Sequence, residues 1–315
     1  MAFFIVRRLI ALVPILLFVS LIVFSIMRLI PGDPVDVMYG TEGISKETQA
    51  AIRHKLGLDQ PILVQYFRWL RRLLTGDWGV SFINGQPVLD TILLKLPKTY
   101  LLATASMILA LLISFPLGII AAVNRNTGID YGAMVLALLG ISVPSFWMGI
   151  MLVLVFALKL GWLPSIGYVS FIESPWEALK HLVLPSFAMG TALTGTFTRL
   201  VRSSLLEILA QDYVRTARAK GLMERVVILR HALKNAIIPV VTVVGMWFGF
   251  LLSGSVVIES IFSWPGVGQL LVNSILSRDY PVVQNVVLVV SVTFVLVNLL
   301  VDIAYTFFDP RIRLS

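Results

Sequence analysis

The sequence predicts an all-α integral membrane protein with six transmembrane helices. The chain has 315 residues, of which 58% are hydrophobic and 13% are charged, and its mean hydropathy is +0.91. Soluble domains carry roughly 25% charged residues, so this composition is typical of an integral membrane protein. Only helices and closed barrels satisfy the backbone polar groups in lipid. The unbroken apolar runs exclude a barrel, whose strands would alternate.

Six stretches free of Lys, Arg, Asp, Glu and His define the predicted spans. Each stretch approaches or exceeds the ~20 residues that a helix needs to cross ~30 Å of hydrocarbon. Pro144 lies inside the third stretch and predicts a kink there. The six spans are residues 9–27, 99–124, 131–158, 182–198, 235–258 and 280–301.

The first span has an alternative interpretation as a signal peptide, because Arg7 and Arg8 precede it. Its apolar run exceeds the usual ~7–15 residues of a signal peptide, and no small-x-small cleavage site precedes Pro31. We therefore expect an uncleaved first helix.

The distribution of basic residues predicts the orientation. If the N-terminus is inside, the cytoplasmic pieces hold most of the Lys and Arg near the spans, and the short outer loops hold only Lys159, Lys180 and Arg278. This is a positive-inside pattern, so both termini are expected in the cytoplasm. The net charge of +8 lies beside membrane spans, which excludes nucleic acid as a partner and favours the lipid bilayer.

The sequence contains no constellation that would make the chain an enzyme. It has no cysteine, its three histidines are far apart, and it lacks the G-x4-G-K-[ST] phosphate loop. We therefore expect no catalytic residue, no metal ligand and no cofactor on this chain.

Residues 31–98 form a long external region between the first two spans. Ser45 is expected to cap a helix that runs to Leu56, with Gly57 as its stop. A second helix over 61–74 carries an apolar stripe made of Ile62, Tyr66, Trp69, Leu70 and Leu73. That helix either lies on the bilayer surface or packs on the spans, or it provides a docking surface for an external partner.

The loop over 199–235 is basic and amphipathic. Ser204 and Glu207 have the spacing of a capping box. Asp212 is expected to cap a short helix over 213–220, and Gly221 is expected to end that helix in a conformation with positive φ. A rigid element of this kind can transmit force from a partner. The alternative is a loop that only orients the protein and binds anionic lipid.

This loop resembles a motif of ABC-importer permease subunits, E-A-A-x3-G-x9-I-x-L-P. Ala217, Gly221 and Leu233 match the motif, whereas Arg215, Thr216, His231 and Lys234 depart from it. RTARAKG followed by HALKNAIIPV is similar to the variant of the dipeptide, oligopeptide and nickel permease family. Further matching pieces keep their order along the chain: PGDP, LGLDQP, GDWGVS, FSWPGVG, RDYPVVQ and DPRIR.

The resemblance implies a type I ABC-importer permease (MetI-like) fold in the bacterial inner membrane. Residues 1–30 would form the cytoplasmic N-terminus and first helix, and residues 99–315 a five-helix permease core. The implied partners are a second homologous permease subunit, two ATPase subunits that bind ATP, and an external substrate-binding protein. The implied ATPase-coupling helix comprises Asp212, Tyr213, Arg215, Thr216, Ala217, Arg218, Lys220 and Gly221.

Six residues are candidates for the wall of a substrate path. Five of them interrupt the otherwise aliphatic third span, and Glu259 ends the fifth span on its outer side. They are Ser142, Pro144, Ser145, Phe146, Trp147 and Glu259.

The expected function is to form the transmembrane path for dipeptides or oligopeptides, energised by the partner ATPases. Glutathione and nickel chelates remain alternative substrates. An ion-coupled secondary transporter would need ionisable groups in mid-span, and a membrane enzyme would need a catalytic constellation. A further alternative is a passive assembly factor, which would not need a stoichiometric ATPase bound at the inner loop.

The positive-inside pattern generates a topology prediction that this cysteine-free chain makes easy to test. A single Ser45→Cys variant should react with an impermeant thiol reagent added from outside, because residues 31–98 are expected to be external. Labelling in intact cells measures this. Reaction only after the reagent reaches the cytoplasm would contradict the orientation.

Overall fold

The computed structural model describes residues 2–29, Val35 and residues 45–308. Within these ranges the chain is helical, and the extended backbone pairs only at an isolated bridge between Val80 and Pro87. The predicted all-α class is therefore confirmed. The PGDP and DPRIR motifs, at 31–34 and 309–313, lie outside the described residues.

The helices are numbered in chain order. Helix α6 continues as a π-helical segment, Val153–Lys159, and α9 is preceded by a helical turn, Glu224–Val226, and a π-helical segment, Val227–Ala232. The helices are α1 (Ala2–Leu29), α2 (Lys46–Leu56), α3 (Ile62–Leu74), α4 (Val88–Val123), α5 (Gly128–Ser142), α6 (Ser145–Leu152), α7 (Pro175–Leu209), α8 (Asp212–Ala219), α9 (Leu233–Ile261), α10 (Val267–Leu276) and α11 (Tyr280–Phe308).

Three helical stretches of the described chain are long and apolar enough to cross a membrane: Val88–Val123, Glu224–Leu252 and Tyr280–Leu300. They contain most or all of the predicted second, fifth and sixth spans. A bent pair of helices, α5 with α6 and its extension, would add a fourth. The predicted first and fourth spans lie on α1 and α7. The count of six stays a prediction that is compatible with these helices.

The third predicted span is broken at Pro144. The helix axis bends by 101° between α5 and the α6 segment. Val143 between them is extended, with φ −81° and ψ 122°. A proline disfavours helical backbone at the preceding residue and supplies no N–H to the helix, so Pro144 accounts for the break. The predicted kink is confirmed.

The chain divides into two compact units. One unit comprises residues 1–98 and 265–295, and the other comprises residues 99–264 and 296–315. In the first unit, the Ser45 side chain accepts a hydrogen bond from the Thr48 N–H and so caps α2, and Gly57 ends α2 with φ +68°. Both cap predictions are confirmed.

The predicted apolar stripe on residues 61–74 corresponds to one side of α3. Tyr66 is buried against Phe24 of α1, with ring centroids 5.5 Å apart, and its hydroxyl lies 2.9 Å from the Ser20 Oγ. Ile62, which the pattern placed in the stripe, is exposed. The stripe therefore serves mainly to pack α3 on α1 within this unit.

The second unit is held by helices that approach closely at glycines. A Cβ on Gly190 of α7 would lie 2.9 Å from the Ser106 carbonyl oxygen of α4, and a Cβ on Gly195 would overlap the Ala137 carbonyl oxygen of α5. Small residues allow such close contact between membrane helices. The core around these contacts includes Leu102, Leu193, Phe197, Ile258 and Trp264.

The close contact at Gly195 generates a stability prediction. Gly195→Ala should lower the free energy of unfolding by about 1–3 kcal/mol, because the added methyl group must displace the backbone of α5. Gly132→Ala is the matched control, since a Cβ on Gly132 of α5 meets nothing within 4 Å. Thermal unfolding of the solubilised protein measures both changes. Equal unfolding temperatures for the two variants would contradict this packing.

Candidate coupling segment and membrane bend

The loop between α7 and α9 contains an ordered short helix, α8. Val214 and Ala217 are buried and pack against Val227, with Ile208 and Leu209 beside them. The other face of α8 is exposed and mostly polar or basic. That face carries Asp212, Tyr213, Arg215, Thr216, Arg218 and the adjoining Lys220.

Two predicted helix starts, at Asp212 and at Ser204, are wrong. Asp212 is the first helical residue and not its cap; Gln211 occupies the cap position and makes no side-chain cap hydrogen bond. Asp212 instead pairs with Arg215 at 3.3 Å on the surface. Ser204 does not begin a helix either, because α7 runs without interruption to Leu209. Capping-box spacing also occurs by chance inside long helices.

The predicted end of the helix is confirmed. Gly221 adopts φ +76°, and its N–H donates to the Arg218 carbonyl oxygen at 2.9 Å. A Cβ at Gly221 would meet nothing within 4 Å, so the backbone conformation alone favours glycine here.

Arg218 has a partner inside the chain. Its Nη2 donates to Glu224 Oε1 at 2.6 Å and its Nε donates to Glu224 Oε2 at 3.1 Å. This fork bridges the turn at Gly221. Both hydrogen bonds are charge-assisted, so they are stronger than bonds between neutral groups. The loop is expected to contact a partner or lipid, and Arg218 in this loop also has a contact within the chain.

A second contact joins α8 to the start of α9. The Tyr213 hydroxyl accepts a hydrogen bond from the Asn235 Nδ2 at 2.8 Å and donates to the His231 carbonyl oxygen at 3.5 Å. The exposed helix is thus connected to α9 by a side chain as well as by the backbone. Sequence reasoning missed Asn235, because no local pattern marks it.

A buried ion pair lies where α7 approaches the loop. Arg202 of α7 donates its Nε and Nη2 to the two carboxylate oxygens of Asp130 at 2.6 and 2.7 Å. Asp130 is 1% exposed and also accepts from the Asn126 N–H at 3.0 Å. This fork fixes the beginning of α5 to α7. No local sequence pattern indicates this pair, since 72 positions separate the two residues.

The candidate path residues fall into two environments. At the bend between α5 and α6, Ser142, Pro144, Phe146 and Trp147 are exposed, and Ser145 is half-buried. Two large aromatic side chains are therefore unburied within this chain.

Glu259, the sixth candidate, lies in the interior near the end of α9. It is fully buried, and its carboxylate accepts a hydrogen bond from the Thr99 hydroxyl of α4 at 2.7 Å. The assignment of all six residues to a substrate path stays a prediction.

These features define a class: a multi-pass, all-helical membrane protein with an ordered basic loop between two apolar helices. Residues 114–314 match the family described as binding-protein-dependent transport system inner membrane component. Residues 1–103 match the N-terminal family of the membrane components of such systems. The chain belongs to this family of inner-membrane transport components.

Curated relatives match along nearly the whole chain. A protein of Brucella abortus, named as a peptide transport system permease, is 46% identical over 309 residues, which is 98% of each chain. The glutathione transport system permease protein GsiC of Salmonella paratyphi A is 45% identical over 310 residues, again 98% of each chain.

A solved structure supports the fold. The structure of inward-facing conformations of the MetNI methionine ABC transporter superposes with a TM-score of 0.60 and 16% identity. The match covers 71% of this chain and 99% of that chain. Because the identity is this low, the match shows only the fold. That fold agrees with the predicted type I importer permease fold.

Proposed function

We propose that this chain is a permease subunit of an ABC importer and forms part of the transmembrane path for short peptides. The observation that carries the proposal is the identity of 46% and 45%, over 98% of each chain, with relatives named for peptide and glutathione transport. Glutathione is itself a small peptide, so both names favour one substrate class. A nickel chelate is the remaining alternative.

The proposed assembly contains a second homologous permease subunit, two ATPase subunits and an external substrate-binding protein. ATP would be bound by the ATPases, because this sequence lacks a phosphate loop. We further propose that the protein resides in a bacterial inner membrane with both termini in the cytoplasm. The short outer loops with only Lys159, Lys180 and Arg278 support that orientation.

Helix α8 is the proposed coupling helix. Its buried face rests on Val227 and its exposed face is free to seat in a groove of an ATPase. Movement of that ATPase would be passed to α9 through the Tyr213–Asn235 hydrogen bond and through the turn that the Arg218–Glu224 pair bridges. A ligand shifts such an equilibrium only through contacts that differ between the two states, and α8 would provide those contacts.

The bend between α5 and α6 is the proposed wall of the substrate path. A break in a membrane helix is tolerated where it is buried in protein or lines a water-filled cavity. Phe146 and Trp147 are about half exposed in the isolated chain, at 48% and 47%. They are thus available to a peptide side chain or to the second permease subunit.

The coupling proposal predicts that Gly221→Val weakens the association with the ATPase. A β-branched residue held at φ +76° costs about 1–3 kcal/mol of backbone strain, which would distort α8 without removing a span. Gly85→Val is the matched control, because Gly85 also has positive φ, at +68°, and open space around its Cβ. Pull-down of the ATPase from membranes with equal permease abundance measures the effect.

A charge-swap series isolates the contribution of Arg218. If Arg218 acts only through Glu224, Arg218→Glu should weaken ATPase association, and the double variant with Glu224→Arg should restore it. If Arg218 also contacts an acidic ATPase surface, the double variant should stay weak. Wild-type association and hydrolysis in Gly221→Val and in Arg218→Glu would show that α8 is not the coupling helix.

A further inference from the structure

A cavity of about 270 Å³ lies within the first unit. It is bounded by α3, by the segment after it and by the beginning of α11, and its aromatic lining includes Trp69, Trp78 and Tyr280. Ligand pockets commonly measure ~300–1,000 Å³, so this one suits a small molecule or one end of a longer one. On the proposed topology it lies on the external side of the membrane.

Two amide side chains in the lining are buried but incompletely bonded. Gln284 is 4% exposed and Asn285 is 1% exposed. Among the described residues, the Gln284 Nε2 and the Asn285 Oδ1 have no hydrogen-bond partner. The Asn285 Nδ2 donates to the carbonyl oxygens of Trp78 and Pro281 at 2.8 and 2.9 Å, which fixes this amide. One unused donor and one unused acceptor therefore lie on consecutive residues of α11.

Buried polar atoms without partners are rare, so such a pair indicates an occupant that completes the bonding. The Gln284 Nε2 can donate to a carbonyl oxygen, and the Asn285 Oδ1 can accept from an N–H. A peptide bond carries both of these groups. An inorganic anion offers no N–H for the Asn285 Oδ1.

The charges in the lining favour a carboxylate. Arg68, Arg72 and Asp77 all border the cavity. The Arg72 Nε donates to Asp77 at 2.8 Å, and the Arg68 Nη2 donates to Gln60 at 2.8 Å. A guanidinium has five N–H groups, so each arginine keeps donors beyond these bonds. Two positive groups beside one negative group leave an excess of positive charge.

We propose that this cavity is an accessory subsite for the carboxyl-terminal end of a short peptide. The terminal carboxylate would bind Arg68 and Arg72, and the last peptide group would bond to Gln284 and Asn285. The last side chain would lie against Trp69 and Trp78. The identity of the ligand rests on the proposed function, whereas the donor, acceptor and charge pattern does not.

Thiol protection in the assembled transporter, without the substrate-binding protein, tests this subsite. Val80 borders the cavity and is 52% exposed. Ile83, three residues further on, is 51% exposed and is not part of the lining, so Ile83→Cys is the matched control for Val80→Cys. The probes are alanyl-phenylalanine, its carboxyl-terminal amide and inorganic sulfate. Labelling of this chain is quantified by mass spectrometry.

Alanyl-phenylalanine should slow labelling of Val80→Cys about tenfold at saturation and leave Ile83→Cys unchanged. The terminal amide should need about tenfold higher concentration, because it loses charge-assisted hydrogen bonds to arginine. Adding Gln284→Leu or Arg68→Gln to Val80→Cys should weaken protection similarly. Arg71→Gln, an exposed change on the same helix, should not.

Three results would overturn the subsite: unchanged labelling of Val80→Cys, equal protection at Ile83→Cys, or equal protection by sulfate. The first would mean that the cavity holds only water. If one of these labelling results is obtained and dipeptides are still transported with the binding protein present, the subsite fails and the proposed function stands. Protection without any dipeptide transport supports the subsite and counts against peptide import.

Discussion

The ion pair between Asp130 and Arg202 fixes the beginning of α5 to α7, close to the point where α7 passes into the loop that carries α8. Asp130 is 1% exposed, and three N–H groups bond to its carboxylate. A charge removed from water to this extent is tolerated only when it is paired and hydrogen-bonded. The pair therefore constrains α7, from which the chain continues into the loop that carries α8.

Contacts around the loop continue this constraint. Leu205 near the end of α7 packs with Ala122 of α4 and with Ile228, Ala232 and Ala236 at the entry to α9. Val214 and Ala217 then bury one face of α8 against Val227. The exposed face of α8 is thus presented by a packed support, which is what a coupling element requires if a partner's movement is to reach the spans.

Local rules predicted the features that depend on a few neighbouring residues. The proline after Val143 breaks a helix. Ser45 caps α2 and Gly57 ends it, and Gly221 ends α8, both glycines with positive φ. Each follows from the backbone preferences of a single residue type, so no tertiary information is needed.

Sequence patterns did not predict the features that depend on tertiary packing. The Asp130–Arg202 pair joins residues 72 positions apart, and the burial of Glu259 against Thr99 joins residues 160 positions apart. The predicted cap at Asp212 was wrong, because Gln211 has the extended backbone of the cap position and Asp212 is already helical. Sequence patterns identified Arg218 only as an exposed basic residue. Its bonds to Glu224 depend on the fold of the turn at Gly221.

A double-mutant cycle on Asp130→Asn and Arg202→Met measures the central interaction directly. Arg202→Met alone should cost about 2–3 kcal/mol in the free energy of unfolding. It leaves the Asp130 carboxylate buried and unpaired, and the partial exposure of Arg202 reduces the full cost. The double variant should recover part of that loss, and Arg199→Met, an exposed change on α7, should be neutral. Additive effects, each below about 0.5 kcal/mol, would contradict the account.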